Sequence, residues 1–339
     1  MRSEEGTKME NNQISLFAPN SPSMLAEAAQ GRQTKKWWLQ LIIFLAVYLI
    51  AVQGVGVILG MGAAVMYIFS KLSVMSLEEM QALSPEQITS EMMSGDKFSV
   101  MMLWSEALTI VLLLIFVRFI EKRSLRSAGY MKKNWLGKWL LGGLAGAGMF
   151  SLAVGICAAF GSVRFNGFTL GGKYGLLALY FAGFAIQSMC EELLCRGYLM
   201  TSWGSKGSLT AAVIVSSVVF GLLHLGNPNF TLLAFFNIVL FGFIMALAML
   251  RTNSIWSAAG LHALWNFAQG NIFGISVSGM EKMTSVFSFN TVGKLDLVTG
   301  GAFGIEGGLA CTAVEIIAIV LLLVWKGERQ AEQTASGQM

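Results

Sequence analysis

The chain contains only two histidines, and both lie inside long apolar stretches. Phe220 precedes His224 by four residues, and Asn266 follows His262 by four residues, so each pair would share one face of a helix. Ionisable groups at membrane depth cost free energy and tend to persist only where they are used. Imidazole and amide groups in this setting suit proton transfer, hydrogen bonding to a reacting oxygen, or metal binding.

A third polar group lies upstream, where Glu191-Glu192 is followed by Arg196. Two neighbouring carboxylates in a low dielectric cannot both stay ionised without compensation. Arg196 lies four residues after Glu192, which is the favoured spacing for an ion pair on a helix. This pairing would leave Glu191 free to act on a substrate or a water molecule. The alternative interpretation is an acid–base cluster that reaches for the membrane surface at a helix end.

Two mechanisms fit this set of residue types. In the first, Glu192, His224 and His262 hold a catalytic zinc ion whose fourth ligand is water, and Glu191 is the general base. In the second, no metal is needed: Glu191 takes a proton from a water molecule that His224 orients. His262 and Asn266 then donate hydrogen bonds to the developing oxyanion. Both mechanisms hydrolyse an amide bond, and the residues leave the choice open.

The composition indicates which environment these residues occupy. Hydrophobic residues make up 55% of the 339 residues and charged residues 12%, whereas a soluble domain carries about 25% charged residues. The chain is therefore predicted to be an integral membrane protein. No run of basic and aromatic residues indicates nucleic-acid binding, so that class of function is excluded.

Stretches long enough to cross a bilayer recur along the chain and predict an all-α, polytopic protein with about eight transmembrane helices. The predicted spans cover roughly residues 38–69, 99–120, 136–160, 174–200, 208–225, 231–250, 254–275 and 307–325.

Lysine and arginine then predict the orientation of these spans. The connection at 118–138 is rich in both, whereas the connection at 70–98 has few against several acids. The connection at 118–138 is therefore expected on the cytoplasmic side, together with the polar tails at 1–36 and 327–339. With eight crossings, the polar residues of the three motifs can meet at middle depth in a site that opens toward the cytoplasm.

Glycine spacing predicts where helices approach closely. Gly56-x3-Gly60 and Gly142-x3-Gly146 each place small residues on one helix face. In a bilayer such faces allow two backbones to pack against each other. Neither pair has the lysine or the preceding strand of a phosphate-binding loop.

The three motifs, in order and each on its own predicted span, resemble a known family. Glu191-Glu192-x3-Arg196, Phe220-x3-His224 and His262-x3-Asn266 are similar to the CAAX protease and bacteriocin-processing family of intramembrane endopeptidases. This family includes the type II CAAX prenyl endopeptidases and the bacterial self-immunity (Abi) proteins.

The resemblance implies Glu191 as the catalytic base, with Glu192, His224, His262 and Asn266 completing the site and Arg196 and Phe220 supporting it. It also implies a core at 161–275. The apolar stretches predict three helices before it, at 37–160, and an outer loop and last helix after it, at 276–326. Location in a bacterial cell membrane is expected.

The expected partners are a hydrophobic or lipidated peptide substrate and membrane lipid, with zinc as the one candidate cofactor. Two other functions remain open. One is a non-catalytic self-immunity or peptide-binding protein. The other is a transporter or proton relay, for which Glu106 and Glu315 within apolar spans would be candidates.

Overall fold

The computed structural model describes residues 23–327 except 33, 35, 77, 80, 81, 85, 86, 89, 90, 93, 293, 294 and 326. Helices dominate this part of the chain because long apolar segments satisfy their backbone hydrogen bonds internally. The helices are α1 Ser23–Ala29, α2 Trp37–Leu72, α3 Gly95–Ile120, α4 Trp135–Ala159, α5 Tyr174–Gly204, α6 Leu209–Leu223, α7 Leu232–Thr252, α8 Ile255–Phe267 and α9 Leu309–Val324. Short helical turns also lie at Leu125–Ala128, Asp296–Thr299, Gly301–Phe303 and Ile305–Gly307.

Each predicted span coincides with one of the helices α2 to α9, and the prediction of a mostly helical membrane protein is confirmed. Five helices in the described part of the chain, α2, α3, α4, α5 and α7, are long and apolar enough to cross a membrane. Helices α6 and α9 are apolar but shorter. Helix α8 continues through a wide turn at Ala268–Ile272. The number of crossings and the side on which the termini lie stay predictions.

Part of the predicted N-terminal tail is folded. Helix α1 buries Met24, Leu25 and Ala28 against the turn Leu125–Ala128 and the end of α5. These apolar side chains lie on one helix face at i, i+1 and i+4, which the polar composition of the whole 1–36 segment obscures. The predicted C-terminal tail lies, apart from Gly327, outside the described residues.

Wide π-helical turns interrupt several of the long helices, and two of them directly follow motif residues. Leu193–Met200 comes immediately after Glu192, and Ala268–Ile272 begins two residues after Asn266. Such turns are rare and frequent at functional sites, because the extra residue redirects the side chains on one helix face. Turns of the same kind also lie in α2 at Tyr48–Gln53 and in α3 at Phe116–Ile120.

Helices α4 and α8 approach each other through glycine. A Cβ atom added at Gly142 or Gly146 would overlap the carbonyl groups of Ser257 and Leu261, and one added at Gly260 would overlap the carbonyl of Trp139. The predicted close packing is therefore present at Gly142 and Gly146. At Gly56 and Gly60 a Cβ would meet nothing within 4 Å in the described structure, so no described helix packs closely there. The latter pair lies on a poorly covered part of α2.

One small sheet adds to the all-helical prediction. Strand β1 (Val163–Phe168) pairs antiparallel with β2 (Phe287–Thr291), and Phe165 lies opposite Phe289. Phenylalanine at alternate positions of β2 places Phe287 and Phe289 on one face, where both rings contact Phe165. The two strands are short and far apart in sequence, so their alternating pattern does not stand out against the long helical segments.

Candidate active site

A cavity of about 370 Å³ lies between the helices that carry the three motifs. Its walls come from helices α2, α3, α5, α6, α7, α8 and α9 and from the loop that follows α8. The predicted site residues that line it are Glu191, Phe220, His224, His262 and Asn266. The structure thus brings together side chains from α5, α8 and the end of α6. Most of the remaining wall is apolar, as expected of a ligand pocket.

Behind the cavity wall, Glu192 and Arg196 form the predicted ion pair. The Arg196 Nη1 atom lies 3.1 Å from Glu192 Oε1, and both side chains are fully buried. The guanidinium also lies over the Phe220 ring, 4.4 Å from its centroid, which gives the cation a favourable second contact. Removal from water is costly for both charges, so each depends on the other.

His262 extends this pair toward the cavity. Its Nδ1 atom lies 2.9 Å from Glu192 Oε1. Because Glu192 is the carboxylate partner of Arg196, it accepts this hydrogen bond and His262 donates it. The other ring nitrogen, Nε2, lies 3.7 Å from Glu191 Oε2. Arg196, Glu192, His262 and Glu191 therefore form a continuous row in which the imidazole separates the two carboxylates.

Glu191 has two oxygens in different surroundings. Gln187, one turn earlier on α5, donates a hydrogen bond from Nε2 to Glu191 Oε1. Glu191 Oε2 has no hydrogen-bond partner among the described residues, although the side chain is 27% exposed. One oxygen is thus held in place, while the other is buried and makes no hydrogen bond to the described residues.

Gln187 joins this carboxylate to Asn266. Its Oε1 atom accepts a hydrogen bond from Asn266 Nδ2 at 3.2 Å. Gln187 was not among the predicted site residues, although its position four residues before Glu191 places it on the same helix face. The spacing of four residues was the feature of the sequence that could have identified Gln187 as part of the site. Because it contacts both neighbours, this amide fixes the position of α5 side chains relative to α8.

His224 is oriented by the backbone of its own helix. Its Nδ1 atom lies 2.8 Å from the Phe220 carbonyl oxygen, and a carbonyl only accepts, so Nδ1 carries the proton. In the neutral ring Nε2 is then the unprotonated nitrogen. The ring also contacts Phe220 edge to face, with centroids 4.7 Å apart. Phe220 therefore orients His224 and covers Arg196 at the same time.

Further carboxyl groups line the cavity. Glu106 accepts a hydrogen bond from the Cys190 thiol at 3.0 Å, and Glu315 of α9 is buried. A third, Glu306, precedes α9 and was not singled out by the sequence. Asn237 of α7 lies beside it and donates from Nδ2 to the Glu306 and Gly308 carbonyls at 2.8 and 2.9 Å.

The arrangement of the predicted zinc ligands does not fit a zinc site. Glu192 lies behind the cavity wall, and its Oε1 atom accepts hydrogen bonds from both Arg196 and His262. His262 and His224 use Nδ1 in hydrogen bonds and keep Nε2, so at most one nitrogen of each ring is left for a metal ion. Across the part of the chain that the structure describes, no three histidine, cysteine or acidic side chains are grouped to hold a metal ion. A cation at Glu192 would in addition compete with the buried arginine.

Comparison with protein families supports the resemblance seen in the motifs. Residues 173–268 match the family model described as type II CAAX prenyl endopeptidase Rce1-like. The matched segment contains all three motifs and lies within the predicted core at 161–275. The predicted resemblance to the CAAX protease family is thereby confirmed. Searches among curated proteins and among solved structures gave no match.

Proposed function

We propose that this chain, whose residues 173–268 belong to the type II CAAX prenyl endopeptidase family, is an intramembrane endopeptidase in which Glu191 activates the attacking water. The observation that carries the proposal is the environment of Glu191. One of its oxygens is fixed by Gln187 and the other is unpartnered. A general base needs such an oxygen within reach of the proton that it removes.

In the proposed reaction, Glu191 Oε2 removes a proton from water while the water oxygen bonds to the carbonyl carbon of the scissile peptide. His224 Nε2 accepts a hydrogen bond from the same water and orients it. The second amide N–H of Asn266 and a protonated His262 Nε2 donate to the developing oxyanion. Glu191 then gives the proton to the leaving nitrogen as the carbon–nitrogen bond breaks.

Arg196 and Glu192 act through His262 in this scheme. Their fully buried ion pair fixes the ring by its Nδ1–H, as a carboxylate fixes a catalytic imidazole in other hydrolases. Zinc is assigned no step, because Glu192, one of its three expected ligands, already bonds to Arg196 and His262.

The proposed substrate is a hydrophobic or lipidated peptide that enters from the membrane. Apolar cavity walls favour such a ligand, because burial of apolar surface supplies most of the binding free energy. Phe98, Met102 and Leu103 of α3 and Met280 and Met283 of the loop after α8 form part of these walls. Methionine side chains adapt to ligands of different shape.

Metal-free protein is expected to hydrolyse peptides. Purified protein would be stripped with 1,10-phenanthroline, shown to lack metal by elemental analysis, and incubated with apolar peptides, with and without a C-terminal prenyl group, in H₂¹⁸O. Because a glutamate-activated water is the nucleophile, each cleavage is expected to place one ¹⁸O atom in the new carboxylate. Mass spectrometry of the products measures both the cleavage and the label.

The other outcomes separate the alternatives. Activity that disappears on metal removal and returns with zinc would replace the proposed mechanism by the zinc mechanism. Peptide binding without any cleavage would instead support a self-immunity or peptide-binding protein. Ion flux in liposomes without cleavage would support a transporter.

Gln187→Met is expected to lower kcat by about 10- to 100-fold with little change in KM, because a small misplacement of the general base costs this much. Methionine keeps the side-chain volume but cannot donate to Glu191 or accept from Asn266. Steady-state kinetics on a cleaved peptide measure the two constants separately.

The matched control is Gln40→Met. Gln40 is also buried and donates to the Tyr198 hydroxyl at 2.9 Å, but it does not line the cavity. The control should leave kcat within about twofold of the parent protein, which is the scale of uniform effects away from reacting atoms. An equal loss of kcat in both variants would mean that Gln187 only stabilises the fold.

A further inference from the structure

The cavity has a second polar region that the proposed reaction does not use. It consists of Glu306 before α9, Glu315 within α9, and Asn237 of α7, and is called the acidic pole below. All three side chains line the same cavity as Glu191 and His262. A molecule that fills the cavity would therefore contact both the acidic pole and the proposed catalytic residues.

Glu306 is held in a defined position at the start of α9. Its Oε1 atom accepts a hydrogen bond from the backbone N–H of Ser278, a cavity-lining residue with a φ of 49°. Burial raises the pKa of the Glu306 carboxyl to about 7, against the opposing effects of the Ser278 hydrogen bond and the nearby His262. The Ser278 contact thus holds this buried carboxyl in a fixed position at the cavity.

Glu315 lacks a partner for one of its oxygens. The residue is 1% exposed, and Oε2 has no hydrogen-bond partner among the described residues. A buried polar atom in this state costs free energy unless a ligand or a proton satisfies it. Because Glu315 also lines the cavity, a molecule bound there could supply the missing partner.

Apart from His224 and His262, the described residues offer no basic side chain in the cavity for this role. Glu106, Glu191, Glu306 and Glu315 line it, whereas no lysine or arginine among the described residues does. Arg196 lies behind the wall and is paired with Glu192. The lining therefore carries four carboxyl groups against two imidazoles. A bound group of positive charge would be complementary to the carboxyl groups that are ionised.

The frame of the acidic pole is rigid. Asn237 donates to the Glu306 and Gly308 carbonyls and accepts from Thr312 Oγ1 at 2.7 Å. These contacts fix the first turn of α9 against α7. A rigid frame lowers the cost of ordering the carboxyl groups when a ligand binds.

We infer that the acidic pole binds a cationic side chain of the substrate, so that preferred substrates carry lysine or arginine close to the scissile bond within an otherwise apolar segment. The inference rests on the proposed function and adds a substrate class to it. A metal ion is a poorer occupant, because the described residues provide no group of three ligands.

A matched peptide series tests the inference. Apolar peptides cleaved by the protein would carry lysine, norleucine or glutamate at successive positions on either side of the cleavage site. Wild-type protein is expected to show a kcat/KM about tenfold or more higher for lysine than for norleucine at one of these positions, and lowest for glutamate. Norleucine keeps the aliphatic chain of lysine and removes the charge.

Variants then assign the preference to named residues. The ratio of kcat/KM for lysine to that for norleucine should fall toward one in Glu315→Gln and in Glu306→Gln. The matched control is Glu281→Gln, which removes an exposed charge in the loop before β2 and should leave the ratio unchanged. Size-exclusion chromatography and thermal unfolding identify variants that fail to fold.

Each outcome decides the inference separately from the proposed function. Equal cleavage of the lysine and norleucine peptides by wild-type protein would overturn the inference and leave the peptidase activity standing, even if both variants failed to fold. A preference that persists in both variants would overturn the assignment to the acidic pole. Proton flux in liposomes that Glu315→Gln abolishes, without a charge preference in peptides, would assign these carboxyls to proton transfer. Absence of all peptide cleavage would count against the proposed function itself.

Discussion

Glu191→Gln is expected to lower kcat/KM for peptide cleavage by about a thousandfold or more, because an amide cannot accept the proton of the attacking water. Glutamine keeps the size of the side chain and can still accept the hydrogen bond that Gln187 donates to Oε1. The fold should therefore persist. Initial rates on a cleaved peptide measure the loss, and thermal unfolding in the same detergent confirms that the variant is folded.

Glu281→Gln is the matched control here as well, since it removes one negative charge from an exposed position. It should retain the parent rate. A rate in Glu191→Gln within tenfold of the parent would show that another group is the base. Among the described residues that line the cavity, Glu106 beside Cys190 would then be the first group to test.

Arg196→Met is expected to destabilise the protein by about 3–5 kcal/mol, because it leaves Glu192 buried and without its cation. Both side chains of this pair are fully buried, so water cannot replace the lost partner. Methionine retains much of the apolar volume, which limits the cavity left behind. Reversible unfolding in mixed detergent micelles measures the change in free energy.

The double variant Arg196→Met with Glu192→Gln should recover part of this loss, because the uncompensated charge is then absent. The matched control is Arg126→Met. Arg126 pairs with Glu27 at 2.9 Å, but its side chain is 65% exposed, and such pairs contribute about 0–1 kcal/mol. Equal destabilisation by the two single variants would contradict the special role of the buried pair.

The sequence was sufficient to predict which polar side chains lie together in the candidate site, because their polarity stands out against an apolar background. Spacing of four residues along one helix also predicted the pairs Glu192–Arg196 and Phe220–His224, which are in contact. Contacts between helices were harder to predict. That His262 would bond to Glu192 depends on the rotation of α8 about its axis, which no periodicity within α8 specifies.

Gln187 and the acidic pole illustrate the same limit. In the sequence Gln187 is one more polar residue on an amphipathic turn. Its importance follows only from its contact with Asn266, which is 79 residues away. Glu306 lies in a glycine-rich segment that carries no helical pattern, and its burial follows from the packing of α9 against α7. The pairing of β1 with β2 likewise joins segments that are far apart in the chain.

The glycine contacts between α4 and α8 have a consequence for the interpretation of genetic variation. Gly142, Gly146 and Gly260 have no side chain that could react, and none of them lines the cavity. Even so, an alanine at any of them would push the two backbones apart and displace the helix that carries His262 and Asn266. Missense alleles at these three codons would therefore resemble alleles of the proposed catalytic residues in phenotype, although they alter no chemical group of the candidate site.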